Sequence, residues 1–176
     1  MNGRIYEWVQ ARREGRPTRQ LLHTALELHL PEGRYVIENA WPSPDADVVS
    51  RGVTAEGPVF SPGLARLRMF RYEVRCWRDG SIADASEAID GLHSISDDHD
   101  QARRLLQLTA SVPTVTWGRR PAQAHEMWNS NSVISWLLVR GGIPIDQIHP
   151  PAGAGAPGWE AGIDVAHSGG RASRAR

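Results

Sequence analysis

The stretch Trp128-Asn-Ser-Asn-Ser-Val-Ile-Ser-Trp-Leu-Leu138 sets two Asn-Ser pairs directly before a run of large apolar residues. Asn and Ser are poor in helix interiors because their short side chains compete for backbone groups, and the same property favours them as caps. The stretch therefore marks a helix start or a discontinuity within a longer helix. With Gly141-Gly142 as the stop signal, the spacing predicts a helix over about residues 122–139. A hydroxyl at such an N-terminus faces backbone N–H groups able to stabilise an oxyanion, so Ser130 is a candidate nucleophile as well as a candidate cap.

Working outward, Leu21 to Leu30 reads as a strand, with Leu22, Leu26, Leu28 and Leu30 on one face and His23, Ala25, Glu27 and His29 on the other. Pro31-Glu-Gly33 suits a three-residue hairpin loop, and residues 34–41 return as the second strand. Pairing Leu30 with Arg34 sets His23 opposite Trp41, with Asn39 as its diagonal neighbour, and a bulge exchanges Asn39 for Glu38. Either side chain could orient the imidazole.

Residues 42–64 are rich in Pro, Gly, Ser and Asp and read as a long connection with one short strand near residues 58–60. Residues 69–78 alternate, with Phe70, Tyr72, Val74 and Cys76 on one face. Cys76 thus reads as a buried, inert thiol. Ser96 before Asp97 and Asp98 reads as an N-cap with an acidic first turn, which accounts for the cluster His93, Asp97, Asp98, His99 and Asp100 without a metal. A short helix is expected over residues 4–13. After Pro150 an irregular wrap anchored by Trp159 is expected, so residues 1–167 form one domain and 168–176 a disordered basic tail.

Composition sets the outer bounds. The 176 residues are 40% hydrophobic and 23% charged, ordinary for one domain with its own core. Twenty basic and twenty acidic residues cancel, so a nucleic acid partner is not indicated. All twenty basic residues are Arg, which reads as coding bias. A single cysteine excludes an intramolecular disulfide, no stretch approaches a membrane span, and the opening residues lack a secretory pattern. A cytoplasmic protein without cofactor or metal is expected. Nothing in the sequence specifies an oligomeric state.

The order His23, then Glu38 or Asn39, then Asn129-Ser130-Asn131-Ser132-Val133 resembles that of circularly permuted papain-like proteins. These are related to the NlpC/P60 group and include the lecithin:retinol acyltransferase-like and PPPDE-type families. There a strand histidine precedes a third polar residue, and a nucleophilic cysteine opens a late helix in a motif of the form Asn-Cys-Asn-His-Phe. The resemblance covers about residues 20–142 and places Ser130 at the cysteine. It implies an α+β fold, with a small antiparallel sheet near residues 21–30, 34–41 and 69–78 packed against the helix that begins near Ser130.

The departure is chemical. A thiol with an ordinary pKa of about 8.5 can be ionised by a helix end and an imidazolium, whereas a serine hydroxyl needs a general base within reach during attack. Two functions follow. One is an amide or ester hydrolase or acyltransferase with Ser130 as nucleophile, His23 as base and Asn39 as orienter. The other is a catalytically degenerate module that binds a peptide or acyl ligand in the same cleft, rimmed by Trp41 and Trp128. A purely structural protein, in which both motifs are ordinary caps and faces, is the third reading. Only the first requires the His23 and Ser130 side chains to converge.

Overall fold

The computed structural model describes residues 11–12, 15, 17–42, 52–82 and 91–173. The alternating sequence at residues 71–78 and the segment that returns after Pro31 and Glu32, residues 33–40, give its two longest strands. In chain order the strands are β1 (Gln20–Leu21), β2 (Leu26–Leu30), β3 (Gly33–Ala40), β4 (Val53–Pro58), β5 (Arg71–Arg78) and β6 (Ala154–Gly155). The helices are α1 (His99–Leu108), α2 (Ser130–Gly141) and α3 (Trp159–Ser173). Strands β2-β3-β5-β4 form one antiparallel sheet, and β1 pairs with β6 in a separate parallel pair. The fold class is α+β.

Register places Leu28 beside Tyr35, Leu26 and Cys76 on either side of Ile37, and Val74 beside Asn39. Together with Tyr72 these residues make one sheet face. Helix α2 packs on that face and is contacted by α1 and α3 on its other sides. It is accordingly apolar nearly all round, with Val133, Ile134, Leu137 and Leu138 fully buried. Burial of each such side chain contributes roughly 1.5–3 kcal/mol. Gly162 lets α3 approach closely: a Cβ there would strike the Ser132 carbonyl and the Ser135 hydroxyl.

Several elements differ from expectation. The strand expected over residues 21–30 is broken at residues 22–25, because this segment leaves β3 and bonds to α2 instead. Pairing of β2 ends at Leu26 with Ile37, so the register expected to set His23 opposite Trp41 does not extend to those residues. The hairpin loop has two residues, Pro31 and Glu32, with Leu30 paired to Gly33. Met69 and Phe70 belong to a 3-10 turn that precedes β5.

Residues 53–58 form an edge strand inside the expected connection. It starts with a bulge near Val53 and ends at Pro58, where a missing N–H is tolerated. Helix α1 is capped by Asp98, two residues after Ser96, through bonds from the Asp100 and Gln101 N–H groups at 2.8 and 3.3 Å. The helix expected from residue 122 starts only at Ser130. Upstream, mutual backbone bonds of Trp128 with Gly118 and Arg119 hold a loop. The expected irregular wrap after Pro150 becomes helix α3, which runs through Ser173 and so into the segment expected as a tail. Of the helix expected over 4–13, Ala11 and Arg12 are helical and the other positions lie outside the described residues.

Helix α3 takes its N-terminal acceptor from a distant loop. Glu126 Oε2 accepts the N–H of Gly158 at 2.7 Å and that of Glu160 at 3.3 Å. Burial raises the Glu126 pKa, the two backbone bonds oppose this, and the charges of Glu160 and Asp164 raise it further. A raised carboxyl pKa means that the folded state holds the proton more tightly than the unfolded one. This group's contribution therefore falls as pH rises from the ordinary carboxylate range, about 4.3, through the raised folded value. Glu126→Gln keeps a carbonyl acceptor and removes the titration. Its melting temperature relative to wild type is expected to rise over that pH window, and a pH-independent difference contradicts the assignment. Glu126→Ala leaves both N–H groups without their acceptor and is expected to cost about 1 kcal/mol in denaturant unfolding, as other lost caps do.

Candidate active site

Each polar residue of the Asn129–Ser132 run has a separate task. Asn129 is the N-cap of α2, its Oδ1 accepting the N–H of Asn131 at 2.9 Å and of Ser132 at 3.4 Å. Ser132 completes a capping box by accepting the Asn129 N–H at 3.0 Å, and it donates to the Gly158 carbonyl at 2.6 Å. Asn129 Nδ2 donates to the Pro157 carbonyl at 2.7 Å, and Ser135, one turn on, donates to that of Trp159 at 2.7 Å. Gly158 passes so close at φ +85° that a Cβ would overlap the Asn129 carboxamide. The helix start is thus bound to the segment that leads into α3.

Asn131 was legible only as part of a cap, yet it positions the histidine. Its side chain is 2% exposed. Oδ1 accepts both the N–H and the hydroxyl of Thr24, each at 3.0 Å, while Nδ2 donates to the carbonyls of Leu22 and Pro157, also at 3.0 Å. One carboxamide therefore pins the backbone immediately before and after His23. Between the pins the imidazole turns toward the helix, and His23 Nδ1 lies 2.8 Å from Ser130 Oγ. That spacing is within the range of a nucleophile and its general base. With the proton on Nε2, Nδ1 accepts the Ser130 hydroxyl hydrogen.

The pair is asymmetric in solvent: His23 is exposed and Ser130 is 7% exposed. Beside them lies a cavity of about 250 Å³ lined by His23, Asn39, Ala40, Trp41, Tyr72, Trp117 and Ser130. Trp117 tilts against Trp41 and Tyr72, with ring centroids 6.3 and 5.7 Å away. Tyr72 is fixed by donation to the Val115 carbonyl at 2.8 Å, and burial drives its pKa upward. Trp128, expected at the rim, is fully buried, because its backbone bonds to residues 118 and 119 hold it inside, and Trp117 takes the rim position.

The third member also departs from expectation. Asn39 is on the cavity side of β3, but its amide makes no hydrogen bond to the imidazole or to any described residue. Glu38 points to the opposite sheet face, 3.8 Å from Arg75. Arg75 also pairs with the fully buried Glu73 at 2.9 Å and donates to the Trp41 carbonyl at 2.7 Å, which fixes the backbone at the cavity rim. The expected set of free helix N–H donors is smaller than anticipated, since the cap takes those of Asn131 and Ser132. The Ser130 N–H is the first-turn donor left without an acceptor among the described residues.

Cys76 is half-buried on the core face of β5, outside this cavity, and burial pushes its pKa to about 11. The carboxylate of Asp98 serves as a helix cap, and no group of three or more metal-ligating side chains occurs among the described residues. No described helix is long and apolar enough to cross a membrane. No protein-family model, curated protein or solved structure matches the chain.

Asn131→Leu fills the same space and strips four hydrogen bonds from buried or half-buried partners. The expected loss is about 2–4 kcal/mol of unfolding free energy, at roughly 1 kcal/mol per bond with little recovered by solvent. Amide hydrogen exchange should accelerate at Thr24 more than in β3, and unchanged exchange at Thr24 contradicts the pinning role. Cys76 should react with a thiol reagent at pH 8 far more slowly than an exposed cysteine, because a pKa near 11 leaves about one thiolate per thousand. Labelling at the rate of a free thiol contradicts the burial.

Proposed function

We propose that the chain is an amide or ester hydrolase or acyltransferase of the permuted papain-like kind, working with serine in place of cysteine. One observation carries the reading: His23 Nδ1 stands 2.8 Å from Ser130 Oγ across 107 positions of sequence. The α+β architecture, with an antiparallel sheet packed against the helix that Ser130 opens, supports the papain-like resemblance. A chain with one cysteine, itself half-buried, suits a reducing, cytoplasmic setting.

In this mechanism His23 Nδ1 takes the hydroxyl proton as Ser130 Oγ bonds to the substrate acyl carbon. The imidazolium then gives that proton to the departing amine or alcohol as its bond to the acyl carbon breaks. Water, or an acceptor nucleophile in the transferase case, attacks the acyl-serine by the reverse proton route and releases the acid or new ester. Exposure of His23 allows leaving group and water to exchange while the acyl oxygen bond stays shielded with Ser130. The Coulombic help of the helix end is only about 1 kcal/mol, so the base is essential for a hydroxyl nucleophile.

A second reading has its own support, in that the Asn39 amide is not bound to the imidazole. A degenerate scaffold that binds a peptide or acyl ligand in this cavity needs no bond between that amide and the imidazole.

The two readings part on reactivity. A fluorophosphonate should label wild-type protein at Ser130 and leave Ser130→Ala unlabelled, and His23→Ala should slow labelling by about a hundredfold or more. The labelling rate should rise with pH through the range in which imidazoles lose their proton, about 6.5. Ser130→Cys should restore reactivity toward a thiol-directed acylating agent. Absence of wild-type labelling at any pH refutes the serine nucleophile, and ligand binding that persists in Ser130→Ala then assigns the binding role.

A further inference from the structure

We propose that Asn39 is the carbonyl-binding donor of this site, and that the cavity it faces takes a short, uncharged acyl group with an aromatic or branched aliphatic body. The inference rests on the reading of Ser130 as nucleophile and adds the identity of the group that it attacks.

The starting observation is an amide where the pattern of β3 calls for an apolar residue. Tyr35 and Ile37 precede Asn39 on the core face, and Val74 lies beside it on β5. Asn39 is 6% exposed, yet neither Oδ1 nor Nδ2 has a partner among the described residues. Buried amides are nearly always hydrogen-bonded, because leaving one unpaired forfeits its hydration with no return. No structural contact accounts for this one, and the cavity it lines also contains the Ser130 hydroxyl. With neither end tied, the amide can present its N–H₂ to a ligand oxygen.

The site has need of such a donor. The α2 cap consumes the N–H groups of Asn131 and Ser132, so a developing oxyanion has the Ser130 N–H and requires a second partner. Asn39 Nδ2 supplies it without a change in the helix. The rest of the lining then selects the acyl body. Tyr72, Trp117 and Trp41 offer aromatic faces, and among the described residues no carboxylate or arginine lines the cavity, so burying a charged acyl group there would cost more than burying an apolar one. A volume near 250 Å³ exceeds the roughly 150 Å³ that admits benzene and falls below the several hundred Å³ of sites for larger ligands. A benzoyl or isobutyryl group fits this range, whereas a long chain does not.

The test uses 4-nitrophenyl acetate, isobutyrate, benzoate and octanoate with the wild-type chain and with Asn39→Leu, a near-isostere without the amide. Isobutyrate and benzoate are expected to lead, with kcat/KM for octanoate lower by at least tenfold. Asn39→Leu should lower kcat by about a hundredfold to a thousandfold with little change in KM, the signature of a donor used in the transition state. It should also raise the melting temperature of the free protein, which a structural role for the amide would lower. If leucine does not fit and the variant does not fold, Asn39→Val carries the same comparison.

Retention of kcat within threefold in the folded variant, or octanoate as the best substrate, overturns the proposal while leaving Ser130 chemistry intact. If the wild type hydrolyses none of the esters, the nucleophile reading fails and calorimetry with benzamide decides for Asn39. Saturable binding lost in Asn39→Leu upholds carbonyl recognition, and no binding, or equal binding to both proteins, overturns it.

Discussion

The site depends on the carboxamide of Asn131. Four hydrogen bonds from one buried side chain fasten the residues on either side of His23 and the segment before α3 to the first turn of α2. A planar amide with two donor and two acceptor positions suits this task, since it can hold two separate backbone segments at once. The break in the first strand follows from it. Residues 22–25 leave β3 because Thr24 and Leu22 find their partners on α2, and the departure brings an exposed imidazole over a buried hydroxyl. Convergence of His23 and Ser130 is thus built through the backbone, on a helix packed against the sheet, α1 and α3.

Under the proposed reading, the same geometry bears on how a serine could act as the nucleophile. A thiolate draws its reactivity from a lowered pKa, to which a helix end and an imidazolium both contribute. A hydroxyl gains little from the helix end and depends on the placement of its base. In this chain the helix terminus is spent largely on its own cap, and the precision has gone into the His23 to Ser130 distance. Under the proposed hydrolase or acyltransferase reading, the histidine nitrogen 2.8 Å away and the buried hydroxyl beside an aromatic cavity are the elements an alkoxide-generating step would use. Arg75 contributes from the opposite sheet face by anchoring Trp41 at the rim, with Glu73 and Glu38 holding Arg75 in turn.

Parts of this were legible in the sequence for local physical reasons. Alternation at residues 69–78 marks one strand, the turn signal Pro31-Glu-Gly33 marks the return of another over 34–41, and the Asn-Ser pairs before Val133 mark a helix start because those residue types cap. What was not legible depends on contacts distant in sequence. Gly57 reads as a loop residue and Pro58 as the first position of the short strand expected near residues 58–60. Gly57 nonetheless sits in a strand because the Tyr72 ring lies where its side chain would be, and Pro58 is tolerated at the strand's end. Helix α3 was obscured by Gly162, a poor helix former that is needed for contact with α2. Asn131 looked like a second cap residue, since no local pattern indicates that its amide reaches Thr24 across 107 positions. The orienting role expected of Asn39 relied on a strand register that residues 22–25 do not follow.

Nitrogen NMR of the His23 ring reports whether Nδ1 accepts a hydrogen bond from Ser130 in the resting protein, the contact on which the site reading rests. Spectra are recorded about two pH units above the ordinary imidazole range of about 6.5, so that the ring is neutral. One fixed tautomer with the proton on Nε2 is expected, with an Nδ1 resonance displaced by an accepted hydrogen bond that moves to the unbonded position in Ser130→Ala. Rapid averaging between tautomers, or an Nδ1 resonance identical in the two proteins, would contradict it.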